Sequence, residues 1–175
     1  MKKVLIIVDM INDFVTGKLG SVQAQKIVPS TAAVIKKARK NGIPVIYLRD
    51  AHDSSNREMD IWGEHAMKGT SGSEIIPELE PEKTDIIIEK KWYSGFVDTE
   101  LQAILKKLGA DTLIFTGVST DICVQNNVAF AYFSGYKTIV LRDCTASIDE
   151  ESYEQSLKYM KNIFGTEITT SEKAL

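Results

Sequence analysis

The chain has little cysteine, little histidine, no excess of positive charge and no long hydrophobic run. Two cysteines in 175 residues cannot form the disulfide framework that staples small secreted domains. A chain of this length needs none, since one core buries roughly 70% of the surface its unfolded form exposes. Twenty-one Lys and Arg stand against 24 Asp and Glu, a net charge of −3, so no basic surface favours nucleic acid. The opening apolar run Val4-Leu5-Ile6-Ile7-Val8 imitates a signal peptide. Asp9 ends it before it reaches the length of such a signal, so neither export nor a membrane span is expected and the expected compartment is the cytoplasm. No internal repeat, low-complexity stretch or linker divides the chain. The first apolar run also lacks a following G-x-G-x-x-G, since Thr16-Gly17-Lys18-Leu19-Gly20 has the wrong spacing, which argues against a dinucleotide-binding module.

What is present is an alternation. Short apolar runs at Lys3 to Val8, Pro44 to Arg49, Asp85 to Glu89, Thr112 to Thr116 and Lys137 to Arg142, with a weaker sixth at Thr166 to Thr169, are separated by stretches of helical period. That order predicts one α/β domain, a mostly parallel sheet of about six strands with helices on both faces. The near-continuous Val, Ile and Leu content suits strands buried on both sides. Ser30 or Thr31 is expected to cap a helix through Arg39, stopped by Gly42, and Asp98 or Thr99 one that ends before Gly109. Two further helices are expected at about Asp121 to Ser134 and Asp149 to Phe164. The one long irregular region, Asp50 to about Ser73, is of a length that usually serves function.

In an open parallel sheet, ligands bind beyond the carboxyl ends of the strands. Asp9, Asp50, Lys90, Ser119 and Asp143 all follow such ends and are expected along one edge. A strand-end Asp alone is an ordinary loop residue; the convergence is what carries weight. Cys123 follows a strand and a turn and is expected to open a helix, where backbone N–H groups and the dipole would lower its pKa below about 8.5. An isolated Cys is more often a small buried hydrophobe, the reading kept for Cys144. Lys90 is either a solvated neighbour of Lys91 or a cation facing Asp9. Both histidines, His52 and His65, fall in the irregular region with Asp50. Two nitrogen ligands and a carboxylate in a loop suit Zn²⁺, Mn²⁺ or Fe²⁺, with Glu58 and Glu64 as candidate further ligands.

Val8-Asp9-Met10-Ile11-Asn12-Asp13-Phe14 resembles the V-D-M-Q-N-D-F segment of the isochorismatase-like cysteine hydrolases, with Ile11 in place of Gln. Lys90-Lys91-Trp92-Tyr93-Ser94-Gly95-Phe96 resembles their K-x-x-Y-S-A/G-F, and Thr116-Gly117-Val118-Ser119-Thr120-Asp121-Ile122-Cys123-Val124 their third signature. The resemblance spans nearly the whole chain, so that residues 1–175 would be one hydrolase domain, and it implies a Rossmann-like three-layer sandwich. It assigns Asp9, Lys90 and Cys123 to a catalytic triad and Val118–Ser119 to a cis peptide. The N–H groups of Ser119 and Cys123 would be the oxyanion hole. Asp50-Ala51-His52 and Trp62-Gly63-Glu64-His65 resemble the metal-binding segments of nicotinamidases, which makes Asp50, His52 and His65 the implied ligands of a divalent metal, zinc first.

The implied chemistry is release of ammonia from a small amide through a thioester. Asp9 would take the thiol proton of Cys123 and Lys90 would stabilise the thiolate. Phe14, Trp62, Tyr93 and Val118 would wall the substrate, most like nicotinamide. N-carbamoylsarcosine or another ureido amide is the alternative, for which Arg49 or Lys68 is the candidate basic residue. After Cys123 the chain departs from the usual T-A-x-D-A with Asn127, Val128 and Phe130. A homo-oligomer is also implied.

Overall fold

The computed structural model describes residues 1–175. Six strands form the sheet: β1 Lys3–Val8, β2 Val45–Asp50, β3 Ile86–Lys90, β4 Thr112–Val118, β5 Lys137–Ala146 and β6 Glu167–Thr169. Their order is β3-β2-β1-β4-β5-β6 and every pairing is parallel, so the expectation of a mostly parallel sheet is met without exception. Sequence moves outward from β1 through β2 to β3, then returns to β4 on the other side of β1. The carboxyl ends of β1 and β4 therefore flank the point where the order reverses, the place where such sheets bind ligands.

Alternation along β1 sends Leu5 and Ile7 to one face and Val4, Ile6 and Val8 to the other. The first face packs with Val34, Ile35 and Ala38 of α3 (Val28–Lys40). The second packs with Leu101 and Leu105 of α5 (Leu101–Leu108), Val128 of α6 (Gln125–Phe133) and Leu157 of α7 (Glu150–Phe164). These make the three layers. β3 departs from the expectation of burial on both faces: as an edge strand it leaves Ile87 47% exposed.

Several boundaries move for identifiable reasons. Helix α3 begins at Val28, ahead of the expected Ser30 or Thr31 cap, because Pro29 suits a first turn, having neither an N–H to satisfy nor a free φ. Ser30 instead donates its hydroxyl to the carbonyl of Ile27. The helix expected from Asp121 is split, with a π turn over Thr120–Val124 preceding α6. Helix α7 lies where expected, and Asp149 caps it, accepting from the Ser152 N–H at 2.8 Å. Four short helices carry too few residues to show a period: α1 Asn12–Val15, α2 Val22–Lys26, α4 Met59–Trp62 and α8 Ser171–Ala174. Asp143 does not reach the site edge. It lies inside β5, which runs on to Ala146, and it accepts from the Ser171 N–H at 2.8 Å, tying down α8. No helix is long and apolar enough to cross a membrane.

Candidate active site

The ends of β1, β2, β3 and β4 bring Asp9, Asp50, Lys90 and Cys123 together. Asp50 and Lys90 are the last residues of their strands and are paired in register, which puts their side chains on the same side of the sheet. Asp9 follows β1 in a left-handed conformation, φ 51°, and its Oδ1 accepts the Asp50 N–H at 2.9 Å. The Lys90 ammonium lies 2.7 Å from Asp9 Oδ2 and 2.5 Å from Asp50 Oδ1, and 3.7 Å from the Cys123 sulfur. All four residues are buried. A lysine in such a position is tolerable only as a member of an ion cluster. Its neighbour Lys91 is the solvated one, paired with exposed Asp53.

The charge states follow from this packing. Burial works against the Lys90 ammonium, but Asp50 and Asp9 outweigh it and hold the group well above its ordinary value. Burial also opposes ionisation of Asp50, and there Lys90 and His52 prevail, keeping its carboxyl below the usual range. Asp9 goes the other way: burial first, then the neighbouring Asp50 charge, push it up to about 6, against the pull of Lys90. Burial likewise drives the Cys123 thiol well above its ordinary value, Lys90 pulling down and Asp9 and Asp50 adding to the rise. The expected thiolate stabilised by a helix dipole is therefore corrected. Cys123 sits within the π turn rather than at the opening of α6, and desolvation outweighs the dipole. The resting pair is a neutral thiol beside a carboxylate. Asp9 Oδ2, although in ion-pair contact with Lys90, accepts no aligned hydrogen bond, which leaves a lone pair for the thiol proton.

Beyond β4 the Val118–Ser119 peptide is cis. Asp121 holds this turn, its Oδ1 accepting from the Ser119 hydroxyl and, at 2.6 Å, from the Ser147 hydroxyl. The Ser119 N–H makes no backbone hydrogen bond. Asn127, at one of the positions where the sequence departs from the family pattern, is fully buried. It donates to the carbonyls of Cys123, 2.8 Å, and Tyr93, 3.2 Å, and accepts from the Gly95 N–H at 2.9 Å. It thus fastens the Cys123 turn to the segment after Lys90. Sequence reasoning passed over this role; the signal was an amide on the inner face of an otherwise apolar helix.

A second cluster adjoins the first. One ligand atom each from Asp50, His52, Glu58 and His65 lies within 4.8 Å of all the others. His65 Nδ1 is 2.8 Å from the Gly63 carbonyl; a carbonyl only accepts, so Nδ1 carries the proton and Nε2 presents its lone pair. Both ring nitrogens of His52 and Oε1 of Glu58 are buried without a hydrogen-bond partner. Burial, and then Asp50, push Glu58 up to about 7. Unpartnered buried nitrogen and oxygen donors fit a borderline divalent ion. Glu58, carried inward beside α4, belongs to this set. Glu64 does not, being exposed and turned outward.

A cavity of about 300 Å³ opens over both clusters. Phe14, Trp62, Tyr93 and Val118, the four expected walls, line it together with Cys123 and Ser119. Trp62 Nε1 donates to the Tyr93 hydroxyl at 3.0 Å and closes one side. The wall from Ala146 to Asp149, and Asp121 joined to it through Ser147, were not foreseen. The candidate basic residues are absent from the lining: Arg49 and Lys68 both pair with Glu89, at 2.8 and 2.6 Å.

Residues 3–172 match the isochorismatase domain family, and the chain belongs to it. The N-carbamoylsarcosine amidase of Thermoplasma acidophilum superposes with a TM-score of 0.94 at 38% identity, covering 99% of this chain and 98% of that one. A nicotinamidase from Bacillus subtilis gives 0.92 at 30% identity, over 97% and 99%. The pyrazinamidase of Pyrococcus horikoshii, in complex with zinc, gives 0.91 at 29% identity, over 97% and 99%.

Proposed function

We propose that this member of the isochorismatase domain family is a cysteine amidohydrolase that releases ammonia from a small amide, most like a nicotinamidase. The observation that carries the reading is the buried Lys90 ammonium, held by Asp9 and Asp50 within reach of the Cys123 sulfur. With a neutral thiol and an ionised Asp9 at rest, Asp9 accepts the thiol proton as the sulfur attacks the amide carbonyl, and Lys90 balances the charge that develops. The N–H groups of Ser119 and Cys123 are assigned to the tetrahedral oxyanion. Asp9 then returns the proton to the departing ammonia. Collapse leaves a thioester, which water activated by the same carboxylate hydrolyses to the acid.

Asp50, His52, Glu58 and His65 would hold a divalent ion, zinc by analogy with the pyrazinamidase complex. The ion would supply a Lewis-acidic anchor for a ring nitrogen or oxygen of the substrate. The cluster shares Asp50 with the Lys90 site, so anchor and nucleophile address the same small molecule. The walls Phe14, Trp62 and Tyr93 suit a flat ring.

A second reading, hydrolysis of a carbamoyl amide by the same residues, is favoured by the likeness to the N-carbamoylsarcosine amidase. Ammonia release from nicotinamide, pyrazinamide and N-carbamoylsarcosine, with and without added zinc, tests both. Turnover that disappears in Cys123→Ala, with the fold retained by circular dichroism, is the expected result; turnover persisting near the wild-type rate removes the assignment. A homo-oligomer in the cytoplasm is part of the reading, and sedimentation velocity checks the assembly.

A further inference from the structure

The Lys90 cluster consumes its own charge. What remains on the cavity wall decides which amides enter, and that remainder is negative. Seventeen residues line the cavity and none is Lys or Arg. The two cations that the sequence offered as pocket bases, Arg49 and Lys68, are both taken up by Glu89 on the edge strand. Lys90 is spent on Asp9 and Asp50. With a divalent ion in place, the ion and Lys90 together would be matched by Asp9, Asp50 and Glu58, leaving no positive excess. Asp121 and Asp149 remain, both on the lining. Asp149 caps α7 through its Oδ1. Asp121 is the one beside the nucleophile, two residues before Cys123; its Oδ1 accepts both serine hydroxyls, and no hydrogen bond within the chain reaches its Oδ2. The Cys123 side of the pocket therefore carries a carboxylate with one oxygen unpaired.

We propose that Asp121 is the specificity-determining residue of this cavity, selecting neutral or cationic amides, with an N–H or ammonium donor for its free oxygen, and rejecting amides that carry a carboxylate. This rests on the amidohydrolase reading and narrows it. It divides the chain from an N-carbamoylsarcosine amidase despite the close superposition, because a carbamoylsarcosine carboxylate would meet an acid where recognition calls for a cation. In a partly desolvated pocket, a like charge at close range discriminates far more strongly than the loss of a contact does.

The test uses pairs matched in shape: 3-nitrobenzamide with 3-carbamoylbenzoate, and N-carbamoylsarcosine methyl ester with N-carbamoylsarcosine. In each pair the neutral member is expected to have the higher kcat/KM, by about tenfold or more. Asp121→Asn keeps an oxygen for the two hydroxyls and removes the charge, so it should narrow the kcat/KM ratio within each pair, a ratio from which any effect on the turn common to both members cancels. Ile148→Lys, at a lining position 63% exposed and next to the Ser147 that donates to Asp121, should narrow it by placing a cation beside that carboxylate. A wild-type preference for the carboxylate-bearing members overturns the proposal, as does a ratio that neither variant moves. Calorimetric binding of the same pairs to Cys123→Ala reads the preference without turnover. If no amide is hydrolysed the amidohydrolase reading falls, while tighter binding of the anionic members separately overturns the role of Asp121.

Discussion

One ammonium group organises the site. Lys90 bridges two carboxylates that would otherwise be intolerable side by side in the interior, and it lies near the sulfur that becomes anionic in the proposed attack. Lys90→Met should therefore lower kcat by about 10²-fold or more, whereas Lys91→Met, which loses only an exposed pair with Asp53, should stay within about threefold. Steady-state kinetics on whichever amide is best turned over distinguishes the two lysines, and the reverse order would reassign the motif. In the proposed mechanism Asp9 sets the acid limb. Its pKa of about 6 arises from burial and then from Asp50, and the ionised form is the proposed base. Hence kcat/KM should fall tenfold per pH unit below about 6 and level off above it. The stability linkage has the opposite sense. A carboxyl raised on folding favours the fold below its unfolded pKa, and that contribution is lost as pH rises through about 6. A pH–rate profile flat from 5 to 8 would remove Asp9 as the base. The sequence displayed all these residues at strand ends but not their charge states. Those depend on desolvation, and the lowering of the Cys123 pKa expected from a helix terminus is reversed by it.

At the scale of elements, the strands and the site edge could be read from the chain because an apolar run ending in Asp, Lys or Gly-Val-Ser reports both a buried strand and its polar terminus. The short helices and the Ala146 to Asp149 wall could not be read, since helices of four or five residues have no period and the extension of β5 is set by tertiary pairing. Gly117 shows why an element end can matter more than its middle. Its φ is +102°, and a Cβ there would lie 2.0 Å from the Val8 carbonyl oxygen. Only glycine lets β4 approach β1 where Asp9 and the Cys123 turn meet. Gly117→Ala should cost about 3 kcal/mol or more and displace that turn. Urea denaturation followed by tryptophan fluorescence measures it; an unchanged midpoint would mean that the two strands can part without penalty.

For the whole molecule, the second cluster joins β2 to the long segment after it, so an ion there should brace the native state against unfolding. Zinc at about 100 times its Kd should add about 2.7 kcal/mol by mass action and raise Tm accordingly. The His52→Ala/His65→Ala double variant should show neither the rise nor bound metal by elemental analysis. Equal shifts in both proteins would place the ion elsewhere.

The register of β5 adds a consequence for how this cavity can change. Between the pairs Phe115–Val140 and Gly117–Thr145, β4 advances two residues while β5 advances five. The surplus holds Cys144 in the core and carries Ala146 to Asp149 out over the site. The ladder resumes at Thr145 and Ala146, against Gly117 and Val118, so the wall is pinned beside the Cys123 turn and the slack before it takes up the mismatch. A residue added or removed between Leu141 and Cys144 would be absorbed there, leaving the wall and the groups at the strand ends in place. The chamber is thus insulated from changes of length in β5, and its shape is adjustable through the side chains of Ser147, Ile148 and Asp149 alone.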